Sequence, residues 1–249
     1  KNITRDHTET MLKSFGANID VKQINKKRQI TIFGQKELQS KNIDVPNDLS
    51  SSSFFIVSAL INDNSHLTLK NINNNSSRNG ILLALKRMGA KIDLKNQRKN
   101  NNENVCDIEV VSSELNGCDL GPEFADLMID EYPIVFIAAS FASGTSVFKG
   151  LGELKVKESN RLKVMYETLR LLGVKIKMGD SHIEIEGGKN YNCNAKIKTF
   201  DDHRIAMSSL VFGMASNGSV EIDDMSMINT SFPKFKETFE GLGAKIKFI

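Results

Sequence analysis

One phrase recurs four times along the 249 residues and constrains the fold more than any other feature: a helical pattern ends on a glycine and passes at once into a strand. The copies are Phe15-Gly16-Ala17-Asn18-Ile19, Met88-Gly89-Ala90-Lys91-Ile92, Leu172-Gly173-Val174-Lys175-Ile176 and Leu242-Gly243-Ala244-Lys245-Ile246. Each glycine closes an amphipathic run such as Ile81-Leu82-Leu83-Ala84-Leu85-Lys86-Arg87-Met88, where it can take the left-handed conformation that ends a helix. A second phrase precedes the last three copies. An acidic residue opens a helix of small and apolar residues: Asp48 before 54–60, Asp130 before 134–141, Asp202 before 205–214. From these aspartates to the following glycines the intervals are 41, 43 and 41 residues, with strand-like segments at 66–72, 145–150 and 219–223 in between. A period of ~70 to 84 residues holding two helices and at least two strands is too long for a helical solenoid and predicts βαβαββ modules in an α/β fold. The first helices of the modules are apolar on nearly all sides over 54–60, 134–141 and 205–212, so they are expected to pack together inside, with the strands outside.

The same interval counted back from Gly16 falls before residue 1. The first copy is therefore expected to lack its opening half, and the chain to be a portion of a longer protein. The segment 36–47, polar and containing Pro46, is the expected boundary, which divides the chain into 1–46 and 47–249. Asparagine-rich stretches at 73–75 and 96–104 are expected to be surface loops.

Charge narrows the function classes. The chain has 33 Lys+Arg against 30 Asp+Glu, and the excess lies in residues 1–46, which hold nine basic and five acidic residues. The remainder is balanced, which argues against a nucleic-acid-binding stripe. Cys106, Cys118 and Cys193 are odd in number and unmatched by histidines at ligand spacing, so they point to neither a disulfide framework nor a zinc site. No apolar run approaches the ~18 residues of a membrane span, and Lys1 leads into polar sequence without a signal-peptide pattern. A cytoplasmic protein is expected.

The residues that carry chemistry stand at helix starts. In Lys155-Val156-Lys157-Glu158-Ser159-Asn160-Arg161-Leu162, Lys157 and Arg161 are four apart and are expected to share a face of the helix that runs toward Gly173. Like charges at that spacing repel by a few tenths of a kcal/mol, and cations at a helix N-terminus oppose its dipole by roughly 0.3 to 1 kcal/mol. A bound phosphate or carboxylate reverses both penalties. The plainer reading is a capping Ser159, solvated charges and a Glu158–Arg161 pair, and the pattern alone leaves both open. Asp201-Asp202-His203-Arg204-Ile205-Ala206-Met207-Ser208 repeats the oddity: Asp202 reads as an N-cap, whereas Arg204 in the first turn does not. His203 reads as a buried histidine bonded to a carboxylate, or as part of the site. In Met128-Ile129-Asp130-Glu131-Tyr132-Pro133, Pro133 suits a first helical turn. Asp130 reads as a cap by itself. Beside Glu158 and Lys157 it supplies the second of two proton-transfer groups for acid–base chemistry, because equivalent helix starts of related modules gather at one face. Arg5, in Thr4-Arg5-Asp6-His7-Thr8-Glu9, heads the truncated copy. Arg78, in Ser77-Arg78-Asn79-Gly80, reads as a solvated helix start.

Taken in order, Arg5-Asp6-His7-Thr8-Glu9, Ile129-Asp130-Glu131-Tyr132-Pro133, Val156-Lys157-Glu158-Ser159-Asn160-Arg161-Leu162, Asp202-His203-Arg204-Ile205-Ala206-Met207-Ser208 and Thr230-Ser231-Phe232-Pro233 resemble the 5-enolpyruvylshikimate-3-phosphate synthase family. The likeness covers essentially the whole chain. Its Lys-Glu-Ser/Thr-x-Arg and Asp-His-Arg-x-Ala-Met signatures differ from those of the sister enzyme that acts on UDP-N-acetylglucosamine. The resemblance implies an inside-out α/β barrel of the enolpyruvyl transferase type, helices inside and sheets outside, in two domains of three βαβαββ modules with the substrates in the cleft between them. Residues 1–46 would end a truncated first domain and 47–249 would form most of the second. The family's opening Lys-Ser and Arg, its Gly-Asn-Ala-Gly-Thr-like loop and its Ser-x-Gln region are absent, so the resemblance implies only part of a site, and this chain alone is expected to be inactive.

The implied reaction transfers the enolpyruvyl group of phosphoenolpyruvate to the 5-hydroxyl of shikimate 3-phosphate and releases phosphate. By the resemblance, Asp130 accepts a proton near the shikimate hydroxyls and Glu158 gives one to the methylene carbon. Lys157 touches the shikimate substrate and assists proton transfer, while Arg161 and Arg204 hold the phosphoenolpyruvate carboxylate and phosphate. Arg5 contacts the 3-phosphate, and His203 belongs with the substrate-binding residues. The resemblance implies no metal or organic cofactor, because electrostatics suffice for an activated enol phosphate. It further implies a monomer when full length, with small-molecule substrates and no nucleic-acid or membrane partner. One position departs from the pattern: many members carry Lys immediately before the Ser/Thr-Phe-Pro motif, where this chain has Thr230. The rival readings are a UDP-N-acetylglucosamine enolpyruvyl transferase and a non-catalytic anion-binding module of the same fold.

Overall fold

The computed structural model describes residues 5–25, 27–188 and 190–247; Lys1 and Thr4 lie outside them. The described chain starts with a helix and a hairpin. Helix α1 (His7–Ser14) ends at Gly16, whose φ of +88° supplies the left-handed turn, and leads into the antiparallel hairpin of β1 (Asn18–Ile24) and β2 (Lys27–Phe33). Residues 34–45 then run exposed and without regular structure.

The next module places α2 (Leu49–Ile61), β3 (His66–Asn73), α3 (Gly80–Arg87), β4 (Lys91–Asn100) and β5 (Glu103–Val111) in a sheet of order β3-β5-β4. A parallel bridge from Asn47 to Ile72 stands where a first strand would lie. Among the described residues the middle module is the complete one: β6 (Asp119–Leu120), α4 (Ala125–Met128) and α5 (Tyr132–Ser140), β7 (Gly144–Lys149), α6 (Arg161–Leu171), β8 (Lys175–Met178) and β9 (His182–Gly187), with sheet order β6-β7-β9-β8. The last module pairs β10 (Asn192–Ile197) and β11 (Asn217–Ile222) in parallel around α7 (His203–Ala215), then adds α8 (Ser226–Ser231) and α9 (Phe235–Gly241). Gly89, Gly173 and Gly243 all take positive φ, as the repeated phrase requires.

Helices α2, α5 and α7 pack against one another at the centre, and every residue of α5 is buried. A helix without a polar stripe has no face for water, so the three share one core while the sheets take the outside. Buried serines in these helices remain compatible with it because Ser53, Ser140 and Ser209 donate to carbonyls of their own preceding turn. The sheets show the complementary two-faced pattern. In β9, Ile183 and Ile185 point inward, while Glu184 and Glu186 meet Lys177 and Lys175 of β8 at 3.5 and 2.8 Å on the outer face. The result is the inside-out α/β arrangement of repeated modules expected from the sequence.

Three local expectations are corrected. Residues 96–104 are not a surface loop but the ends and turn of the β4–β5 hairpin, because strand pairing resumes around an irregularity between Lys95 and Arg98. Asn75 lies in a loop as expected, but that loop is buried there rather than at the surface: its amide donates to Asp6 and Glu103, and its oxygen accepts from the Ser77 backbone N–H. The fourth glycine phrase does not continue into a strand. Residues 244–247 have no partner ladder among the described residues, and an extended segment without one forms no sheet.

Candidate active site

The helix starts of the three modules meet at one end of the core, around the turn that carries Asp130 and Glu131 before α5. Asp130 is not the cap that its position suggests. It lies one residue further back, so its carboxylate is free to accept cations. Arg5 Nη2 reaches Oδ2 at 2.6 Å, while Lys157 Nζ and Arg161 Nη1 reach Oδ1 at 3.3 and 3.4 Å. Arg204 Nη1 donates to the Asp130 backbone oxygen at 2.8 Å. Burial by itself raises the Asp130 pKa, but Arg204, Lys157 and Arg5 outweigh it and hold the carboxyl below the ordinary aspartate value.

Lys157 and Arg161 do not share a helical face. A short 3-10 turn at Leu151–Val156 ends with Lys157 in extended backbone, and α6 begins only at Arg161. Asn160, rather than Ser159, caps that helix by accepting from the Lys163 N–H, while the Ser159 hydroxyl turns away to Asp202 at 2.9 Å. The two cations converge on Asp130 from the turn and from the helix. Lys157 also meets Glu153 at 2.8 Å.

Arg161 is wholly buried, as is its main partner Asp202. Nε and Nη2 donate to the two Asp202 oxygens at 2.8 and 3.2 Å, and Nη2 also meets Glu158 at 2.6 Å. Asp202 thus has two tasks, since its Oδ1 also caps α7 through the Arg204 N–H at 3.0 Å. Burial pushes the Asp202 carboxyl up, and Arg161, Ser159 and the Arg204 N–H more than reverse it. Glu158 keeps about half of its side chain (49%) in solvent, next to Arg161. His203 is half-buried but is not bonded to a carboxylate; among the described residues its ring has no hydrogen-bond partner. Burial, with Arg204 second, holds its pKa below the usual histidine value.

Arg78, expected to be solvated, is drawn into the cluster. Its guanidinium donates to the Ser50 hydroxyl and lies 3.6 Å from Glu131 and 3.9 Å from Asp130. Nothing in the sequence pattern marks Glu131 or Ser50. The signal for Arg78 is the same as for Arg204, a cation at the start of an apolar helix. Thr230 sits in α8, where its hydroxyl donates to the Met227 carbonyl.

The structure therefore gathers Arg5, Lys157 and Arg161 about the Asp130 carboxylate, with Arg204 on its backbone oxygen, brings Glu158 alongside through Arg161, and leaves His203 without a polar partner among the described residues. Chemically this is an ionised carboxylate in a dense field of cations, suited to anionic substrates and proton transfer. Among the described residues no three His, Cys, Asp or Glu side chains are arranged to hold a metal ion, and no helix is long and apolar enough to cross a membrane.

Comparison with known proteins gives the family and the fold. The family model of EPSP synthase (3-phosphoshikimate 1-carboxyvinyltransferase) matches residues 1–239. The 3-phosphoshikimate 1-carboxyvinyltransferase of Mesorhizobium japonicum is 45% identical over 254 residues, covering 98% of this chain and 56% of that protein. That of Brucella abortus is 45% identical over 248 residues, covering 98% and 55%. The chain thus spans little more than half the length of the curated relatives it matches. Among solved structures, EPSP synthase from Acinetobacter baumannii superposes with a TM-score of 0.92 at 36% identity over 99% of this chain and 56% of that one. An enolpyruvyl transferase from Streptomyces tendae shares the fold at 16% identity, with a TM-score of 0.72 over 97% of this chain and 53% of that one. With a family model matched along nearly its full length, on a fold that superposes on a solved member, this chain belongs to the EPSP synthase (3-phosphoshikimate 1-carboxyvinyltransferase) family.

Proposed function

We propose that a protein carrying this chain transfers the enolpyruvyl group of phosphoenolpyruvate to the 5-hydroxyl of shikimate 3-phosphate, and that this chain supplies one wall of the site. In the addition step, the hydroxyl oxygen bonds to C2 of the enol phosphate as its proton passes to Asp130 and a proton from Glu158 reaches the methylene carbon. In the elimination step, that carbon returns a proton to Glu158, the C2–O bond to phosphate breaks, and phosphate leaves with the proton that Asp130 had taken from the hydroxyl. Lys157 assists the proton transfers, Arg161 and Arg204 hold the carboxylate and phosphate of phosphoenolpyruvate, Arg5 meets the 3-phosphate, and His203 lines the same pocket.

The observation that carries this reading is the convergence on Asp130. Cations from three modules keep the carboxylate ionised in the free protein. When substrate phosphates and a carboxylate occupy those cations, the field on Asp130 weakens and its basicity rises, which is what a proton acceptor needs at the moment of attack.

In the same reading, residues 1–46 end a first domain and 47–249 form most of a second. Among the described residues β1 and β2 pair only with each other, and Ile30, Ile32, Phe33 and Val45 are exposed beside the irregular 34–45 segment. The whole protein acts as a cytoplasmic monomer on small molecules, without nucleic acid or membrane. The test is phosphate release by the full-length protein with phosphoenolpyruvate and either shikimate 3-phosphate or UDP-N-acetylglucosamine. Release with shikimate 3-phosphate alone is the expected outcome. Release with the UDP-sugar alone would reassign the acceptor, and release with neither would favour a binding module.

A further inference from the structure

Beneath Asp130 lies a second carboxylate that the proposed reaction does not use. The Glu131 side chain is only 2% exposed. Its Oε1 accepts from the Ser50 hydroxyl at 2.5 Å and faces Arg204 Nη1 at 3.5 Å and Arg78 Nη2 at 3.6 Å. Its Oε2 has no hydrogen-bond partner among the described residues. Ser50 belongs to the first turn of α2, Arg78 precedes α3 and Arg204 belongs to the first turn of α7, so one carboxylate links helix starts from two further modules to the start of α5. A buried ion cluster with an unpaired oxygen is a poor stabiliser compared with an apolar core, and such groups persist where they fix a geometry. The geometry fixed here is that of the two arginines at Asp130. The same Arg204 Nη1 that faces Glu131 donates to the Asp130 carbonyl, and Arg78 Nη1 lies 3.9 Å from the Asp130 carboxylate.

We propose that Glu131 is a positioning residue: held by Ser50, it anchors Arg204 and Arg78 beside Asp130 so that both guanidiniums stand ready for an anionic substrate without collapsing onto the Asp130 carboxylate. This rests on the reading of Asp130 and Arg204 as parts of the substrate site. Glu131 touches no reacting atom in it. Without the Glu131 charge, Arg204 and Arg78 turn to Asp130, the nearest remaining carboxylate, and the pocket loses its preformed shape for phosphoenolpyruvate.

The experiment uses the whole protein carrying this chain, as wild type and as Glu131→Gln, which keeps the size and an oxygen for Ser50. The KM for phosphoenolpyruvate is expected to rise about tenfold or more while the KM for the acceptor stays within about twofold, because only one substrate meets Arg204. Guanidinium Nε–Hε signals in 15N spectra, assigned through Arg204→Lys and Arg78→Lys, are expected to move or broaden in Glu131→Gln. Turnover reduced only in proportion to the folded fraction, with both KM values and the Arg204 and Arg78 signals unchanged, would overturn the proposal and leave Glu131 a packing residue. If wild type turns over neither acceptor, the functional reading fails first, and the guanidinium spectra still decide on Glu131. Should Glu131→Gln fail to fold, Ser50→Ala removes the hydroxyl that holds Oε1 and is expected to move the same signals in the same direction; unmoved signals there would equally overturn the anchor.

Discussion

Arg161 and Asp202 are both sealed from solvent, and the guanidinium grips the carboxylate through Nε at 2.8 Å and Nη2 at 3.2 Å. The pair ties the start of α6 to the start of α7, and so one module to the next. Removing one partner strands the other charge in the core. Asp202→Ala is therefore expected to cost about 3 to 5 kcal/mol for the unpaired guanidinium, with the lost cap of α7 adding about 1 kcal/mol. The double variant Arg161→Met with Asp202→Asn, which removes the ion pair and keeps a capping oxygen, should recover most of that loss. Urea denaturation of the three proteins measures it, and a double variant no better than Asp202→Ala would show that the charge is not what matters.

The shifted groups set how stability varies with pH. Asp202 and Asp130 both have folded pKa values below their unfolded ones, so each contributes stability that is complete above about pH 3.9 and is lost as pH falls through the lower folded value. His203 is a base with a depressed folded pKa. The unfolded chain takes up its proton first, so stability also declines just below about pH 6.5. The melting midpoint should thus fall in two steps on acidification. His203→Gln should remove the upper step alone, and Asp202→Asn should lower the plateau and flatten the lower one. A single step unaffected by either variant would contradict this assignment.

Gly173 ends α6 with a φ of +84°, and a Cβ there would meet nothing within 4 Å. The obstacle to a side chain is then the backbone conformation alone. Gly173→Ala should cost about 1 to 2 kcal/mol, the penalty of the left-handed region for an L-residue, and Gly173→Asn clearly less, because asparagine tolerates that region. Thermal or urea denaturation distinguishes the two. Equal losses would mean that packing, not φ, requires glycine.

That glycine is legible in the amino-acid sequence, and so is most of the architecture. A left-handed closure, a fully apolar helix and an alternating strand each leave a local signature, and the modules repeat all three. The site is legible only in part. Lys157, Arg161 and Arg204 stand out because a cation at a helix start is locally unfavourable, yet the first two converge from a turn and a helix rather than along one face. Glu131 and Ser50 leave no such mark, since an acidic residue or a serine at a helix start is locally favourable and already explained. The role proposed for them follows from being brought within reach of each other and of Arg78, through contacts between residues 28 to 81 positions apart. Residues 244–247 depart from expectation for the same reason in reverse, because β pattern is local and a pairing partner is not.

Asp130 and Glu158 should separate in kinetics from the cations around them. In the full-length protein, Asp130→Asn or Glu158→Gln is expected to cut turnover by ~10² to 10⁴ with smaller changes in substrate binding, as for groups that move protons. Glu158 is half in solvent, so its replacement should leave the melting midpoint nearly unchanged. Asp130→Asn should instead lower it, because Arg5, Lys157 and Arg161 lose a shared anion. Near-normal turnover in either variant would remove that residue from the proton path.

The cations of this chain should also bind anions by themselves, though weakly. Lys157, Arg161 and Arg204 already face Asp130, Glu131, Glu158 and Asp202, so an incoming phosphate competes with carboxylates instead of filling a bare positive pocket. The chain alone is therefore expected to bind phosphoenolpyruvate or phosphate at about 1 mM or weaker, which corresponds to roughly 4 kcal/mol. Affinity should fall as salt is added, as it does for partly exposed charges. Arg204 keeps some exposure and Arg161 none, so Arg204→Ala should weaken binding more directly, while Arg161→Ala should act together with a loss of stability from the unpaired Asp202. Because a bound anion takes over cations that hold the Asp130 carboxyl low, binding near pH 4 should draw protons from the buffer. Calorimetry in two buffers of different ionisation enthalpy measures that uptake, and Asp130→Asn should abolish most of it. Equal affinity in wild type and both arginine variants, or uptake that survives Asp130→Asn, would show that the anion sits elsewhere on the protein.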